Sequence, residues 1–237
     1  MTLAINGGNK LELSIDSSTK CASIALSQQG NLLWEQTWWS EQNHTTELLP
    51  GIESLLERAH RSMSEVDSIA VAKGPGNFSS LRIGISLAKG LAMSLGIPLF
   101  GVNTLLIEAF PYLSFNCVVY AALDAGRQEL IWAPFSRATD LLQMSSETVS
   151  SLDSFLSNVS APSIICGEGI RARAVDFNGH VEAGVTIMNI APPTRRAAVL
   201  AYLGAQRLEQ HASDEANNLE PIYTRGPSIT PPKQPKS

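Results

Sequence analysis

Charge is scarce in this 237-residue chain. Asp, Glu, Lys and Arg together make up 16%, against roughly 25% in an average soluble domain. Basic side chains are the scarcer kind, 17 against 22 acidic, for a formal net charge of −5. No basic excess is left to neutralise nucleic-acid phosphates, so direct, strong nucleic-acid binding is disfavoured. The three cysteines, Cys21, Cys117 and Cys166, show no CxxC spacing. Neither a disulfide framework nor a thiolate zinc site fits, and the reducing cytoplasm is the expected compartment. No apolar run approaches the roughly 20 residues that span a bilayer. The opening MTLAINGGNKLEL has no basic stretch leading into an apolar one, so neither a signal peptide nor membrane attachment is expected. Apolar residues, by contrast, reach 44%. That excludes intrinsic disorder and raises the prospect that some apolar surface is meant for a partner.

Short β-rich runs at 11–16, 21–27 and 31–38, separated by SSTK and QQG, predict a three-strand antiparallel meander. Apolar residues recurring at i, i+3, i+4 and i+7 predict a helix over 46–61, with Pro50 in its first turn. A strand at 68–72, the Gly74-Pro75-Gly76 loop, a long helix over 78–95, a strand at 98–102 and a helix at 104–110 complete the half. The order βββαβαβα implies an α/β fold, a mixed sheet flanked by helices. The second half reads as a looser repeat. It has a hairpin of 117–124 with 129–135, a helix at 152–158, a strand at 163–166 and a helix from an N-cap at Thr194 to Gln210. The expected organisation is a lobe over 1–111 and a smaller lobe over 112–225, with the helix at 194–210 packing back on the first. Residues 226–237 have the composition of a disordered tail.

Motifs that carry chemistry are few. The histidines, His44, His60, His180 and His211, offer no pair three or four apart, and HExxH is absent. GPGNFS lacks the third glycine of GxGxxG and no GK[ST] follows, so the loop is either a tight strand-to-helix turn or an anion cradle at a helix N-terminus. Gly84-Ile85-Ser86-Leu87-Ala88 is a near miss to the GxSxG elbow, but Ser86 falls in mid-helix. Asp16, Ser17 and Thr19 end the first strand in a turn able to hold phosphate or hydrated magnesium, and Asp124 ends a strand in a comparable place in the second half. Turn formation alone also accounts for these residue types.

The segment LRIGISLAKGLAMSL at 81–95 confines its polar residues Arg82, Ser86 and Lys89 to one strip, with Ser94 apart. A helix this apolar needs cover on more than one side. Cover by a partner is expected, and the helix at 194–210 is the alternative.

The stretch GPGNFSSLRIGISLAKGLAMSLGIP closely resembles the signature of the TsaB (YeaZ) family, approximately GPGSFTGLRIGxxxAKGLA. LSIDSSTKCASIAL, HTTELLP, Leu123-Asp124-Ala125, Gly167-Glu168-Gly169 and Glu220-Pro221-Ile222-Tyr223 agree in the same order. The resemblance implies a two-lobed actin/Hsp70-like, ribonuclease H-like fold and a non-catalytic part in making N6-threonylcarbamoyladenosine beside the tRNA anticodon. It implies a heterodimer with the transferase TsaD through the first two helices, a third protein, the ATPase TsaE, and homodimers through the same surface. On those helices the expected interface residues are Leu49, Ile52, Leu56, Leu81, Gly84, Ile85, Ala88 and Ala92. TsaD carries a metal-binding HxxxH pair; here Leu48 follows His44 by four, so one imidazole is missing. Catalytic and metal residues are therefore expected to be none. ATP and magnesium are expected only in the multi-protein complex, and tRNA contact mainly through the partner. Asn77, Ser79 and Ser80 depart from the family's serine, threonine and glycine. Two alternatives stand beside this reading: an ATP-dependent phosphotransferase using Asp16, Ser17, Thr19 and Asp124, and a metal glycoprotease.

Overall fold

The computed structural model describes residues 10–41, 43–138, 141–173, 177, 182–210, 213–214 and 217–223. The expected tail at 226–237, and His180 and His211, lie outside the described residues.

The meander forms as β1 (Leu11–Asp16), β2 (Cys21–Gln28) and β3 (Asn31–Trp39). Then come α1 (His44–Arg58), β4 (Val66–Gly74), α2 (Phe78–Leu95), β5 (Leu99–Asn103) and α3 (Thr104–Ala109). Two crossovers lay β4 and β5 parallel beside β1, giving the order β3-β2-β1-β4-β5 with Leu13 opposite both Leu26 and Ile69. The alternation in LELSID separates the two faces of this sheet. Leu11, Leu13 and Ile15 join the core under α1 and α2, together with Ile69 and Val71 of β4.

The second sheet is built from β6 (Val118–Gly126), β7 (Glu129–Ala138), β8 (Leu141–Met144), β9 (Thr148–Ser151), β10 (Ser163–Cys166) and β11 (Val185–Ile187). Its order is β11-β10-β6-β7-β8, with β9 also paired to β7. Helices α4 (Leu152–Asn158), α5 (Glu168–Ala172) and α6 (Ala197–Glu209) complete the chain. The result is a two-lobed pair of mixed sheets flanked by helices, the actin-like class.

Between the lobes, α3 belongs to both. Leu105 and Ala109 pack into the core of the second sheet, while Ile107 packs with Ala70, Ala72 and Leu200 of α6. Helix α6 returns to the first sheet and covers the face opposite α1 and α2. It approaches closely enough that a Cβ at Gly204 would press on Ala70, at 2.6 Å.

Local differences from the sequence reading have local causes. α1 begins at His44, where the Asn43 carbonyl accepts the first-turn amides of Thr46 and Glu47, so Pro50 sits in the second turn rather than the first. α6 begins at Ala197 and not beside Thr194, because the Thr194 hydroxyl is donated to Glu108. β8, β9, β11 and α5 are three to five residues long, too short for a periodic signal.

Candidate functional site

Two places bring together residues that the sequence singled out. The first is the groove between α1 and α2. α2 is 18 residues long and starts on Asn77, whose side chain accepts from the Ser80 amide and hydroxyl, both at 3.1 Å. The cap meets donors that a bound anion would otherwise take. The Asn77 amide is itself donated to the Ser18 carbonyl at 2.7 Å, and a Cβ at Gly76 would run into that carbonyl. The loop is thus a tight strand-to-helix turn pressed on the β1–β2 turn. Ser80, where the family has glycine, is accommodated through its hydroxyl.

The inward stripe of α2 holds Leu81, Gly84, Ile85, Ala88 and Ala92, all buried; on α1, Ile52 and Leu56 are buried likewise. These seven predicted interface residues are core residues of the chain itself. Sequence periodicity identifies an apolar stripe but not which neighbour it meets, and here the neighbour is the sheet. Leu49 alone of the eight is exposed, at 41%. The outward side carries Arg82, Ile83, Ser86 and Leu87, with Met93 61% exposed. Between the helices runs a groove of about 400 Å³, lined among others by His44, Leu48, Leu49, Arg82, Ile83 and Leu87. The predicted alternative cover, the C-terminal helix, is excluded because α6 lies on the opposite face of the sheet.

Two polar side chains line the groove. His44 is buried, and burial lowers its pKa, so the imidazole is neutral near pH 7. Its Nδ1 has no partner among the described residues. Arg82 lies over the Phe78 ring, 4.1 Å from its centroid, and donates to the Tyr223 hydroxyl at 2.7 Å. Trp38 is accounted for nearby: it packs on the first core and donates to Glu47 at 2.9 Å, whereas Trp39 is 61% exposed.

The second place is the cleft between the lobes. Asp16 Oδ1 accepts the Ser18 amide and hydroxyl, and Oδ2 accepts Arg195 Nε at 2.5 Å. Ser17 donates to the Ser80 carbonyl at 2.8 Å, and Thr19 donates to Glu168 of the second lobe at 2.8 Å. Asp16, Ser17 and Thr19 are therefore together, but they serve internal contacts. The Asp124 side chain is 60% exposed, 3.6 Å from Arg173, and accepts the Gly126 amide. Sequence reasoning missed Arg195, Glu108 and Thr194. A lone glutamate in the apolar helix TLLIEA was the available signal, since Glu is rarely buried without a partner.

The family model for TsaD, tRNA N6-adenosine threonylcarbamoyltransferase, matches residues 39–179, more than half of the chain. The tRNA threonylcarbamoyladenosine biosynthesis protein TsaB of Escherichia coli is 35% identical over 129 residues, 53% of this chain and 54% of that protein. The aligned part thus spans about half of that relative's length. TsaB of Haemophilus influenzae is 27% identical over 228 residues, 90% of this chain and 92% of that protein. The solved structure of YeaZ from Pseudomonas aeruginosa superposes with a TM-score of 0.72 at 26% identity, covering 90% of this chain and 99% of that one. The chain belongs to this family, in its TsaB (YeaZ) branch.

Within the TsaB pattern, the signature loop and helix of the sequence map onto the Asn77-capped turn and α2. Of an HxxxH pair only His44 is present, at the first residue of α1, with Leu48 buried one turn on. Among the described residues, no three His, Cys, Asp or Glu side chains are grouped so as to hold a metal. No helix there is long and apolar enough to cross a membrane.

Proposed function

We propose that this chain is a non-catalytic docking subunit in tRNA threonylcarbamoyladenosine biosynthesis, which binds TsaD through the α1–α2 groove and activates it. One observation carries the reading. After α1 and α2 have buried one face on their own sheet, they still present an apolar groove lined in part by exposed Leu49. Apolar surface of this kind is stabilised by cover. The names of the relatives, and the kinship with TsaD itself, support TsaD as what covers it.

In this reading TsaD performs the transfer to N6 of the adenosine beside the anticodon and meets the tRNA phosphates, TsaE joins the pair, and ATP with magnesium enters only in the assembly. A second copy of the chain competes for the same groove. The phosphotransferase alternative is weakened by Asp16, both of whose oxygens are engaged within the chain, and the glycoprotease alternative by the solitary His44.

The test separates the inner from the outer face. A Leu49→Asp, Leu87→Asp double variant should keep the wild-type circular dichroism and a cooperative melting transition, although Leu87 is half-buried against the core. It should lose at least about tenfold in affinity for purified TsaD, as expected when central apolar anchors are removed. It should also fail to raise modified tRNA when mixed with TsaD, TsaE and the threonylcarbamoyl-adenylate synthase. Wild-type affinity in the folded variant would remove the proposal.

A further inference from the structure

The cleft between the lobes holds a buried ionic cluster that docking at the α1–α2 groove does not use. Arg195, 3% exposed, precedes α6 and reaches residues from four other segments. Its Nε donates to Asp16 at the end of β1, and Nη2 donates to Thr19 in the β1–β2 turn at 3.1 Å. Its Nη1 donates to Glu108 of α3 at 3.1 Å and to Glu168 at the start of α5 at 3.5 Å. The outer members close on one another. Thr19 donates to Glu168, while Thr194 and the Glu168 amide both donate to Glu108 Oε1, at 2.9 and 3.2 Å.

Asp16 and Thr19 belong to the first sheet, Glu168 to a helix packed on β6 of the second, and Glu108 to the helix shared by both. Two-lobed chains commonly close around a bound ligand whose contacts bridge the lobes. Here one planar guanidinium, with five donors in a fixed fork, makes those bridging contacts. We propose that Arg195 is a built-in latch, a resident cation whose contacts hold the two lobes together. Charge balance explains why a cation is needed. Three carboxylates converge on the cleft, and burial already disfavours ionisation of Glu108. Without the guanidinium the two ends of the cleft would carry like charges facing each other.

Hydrogen–deuterium exchange on the full chain tests the latch. Glu168→Ala cuts the contacts that Arg195 and Thr19 make to the second lobe and leaves Arg195 on Asp16 and Glu108. It should speed exchange about tenfold in the β1–β2 turn and in α5 together, the signature of sub-global opening. Arg195→Ala should loosen the same two segments further, and low-millimolar guanidinium chloride should restore protection where equal sodium chloride does not. The proposal is overturned if Glu168→Ala accelerates exchange only around residue 168, if Arg195→Ala stays as protected as the wild type, or if both salts act alike. Should Arg195→Ala fail to fold, Arg195→Lys, which keeps the charge and loses the fork, takes its place: faster exchange in both segments supports the latch, and wild-type protection overturns it.

Discussion

Glu12 lies on β1, on the face turned toward α6, 4% exposed, and accepts the Ser27 hydroxyl at 2.9 Å. Burial pushes its pKa from the ordinary 4.5 up to about 7, the Ser27 bond opposing this and nearby Glu209 adding to it. The folded chain therefore holds this proton where the unfolded chain has released it. Stability contributed in this way is complete below pH 4.5 and declines as pH rises to about 7. At one pKa unit per 1.36 kcal/mol, the loss amounts to about 3 kcal/mol. Glu12→Gln keeps an oxygen for Ser27 and removes the charge. It should melt at a higher temperature than the wild type at pH 8 and show a flatter dependence between pH 4.5 and 7; parallel profiles for the two proteins would refute the assignment. Gly84 makes a steric point at the same scale. A Cβ there would run into the Ser17 hydroxyl, so the small residue sets how closely α2 approaches the β1–β2 turn.

Helix α2 carries two apolar stripes with different duties. Ile85 is 3% exposed against the sheet, and Leu87, two positions on, is half-buried at the groove. A change to a charged residue should therefore have opposite outcomes at the two positions. Ile85→Arg buries an unpaired guanidinium and should cost the cooperative melting transition, while an aspartate at Leu87 leaves the fold intact. Gly84→Ala should fall between them, destabilising by about 1–3 kcal/mol through overpacking without affecting TsaD affinity in the remaining folded protein. If Ile85→Arg melted like the wild type, the assignment of its stripe to the core would be wrong. Strand β3 shows a related division. Glu35 accepts the Ala198 amide at 3.0 Å and the Arg196 guanidinium, holding the start of α6 to the sheet edge.

For the molecule as a whole, the net charge of −5 and the shortage of basic side chains weigh against direct tRNA binding. Phosphate contacts supply most non-specific nucleic-acid affinity and make it salt-dependent. In a gel-shift titration the isolated chain should retain no tRNA at concentrations where TsaD does, and lowering the salt should change little; tight, salt-sensitive retention would contradict a docking role. Much of the fold was legible beforehand. The alternation in LELSID, the 3.6-residue period of α1 and α2, and the turn residues between them are local signals, and they carried the βββαβαβα order and the class. The family signature likewise resides in one continuous loop and helix. The site was legible only in part. Composition and periodicity showed that α2 is too apolar for one contact, yet which stripe faces outward depends on how the helix is rolled on its sheet, and this left Leu49 alone of the eight expected residues at the surface. The cleft was less legible still. Asp16, Glu108, Glu168 and Arg195 lie far apart along the chain and form no motif, and only the folding of both sheets against α3 and α6 brings their charges within hydrogen-bond reach.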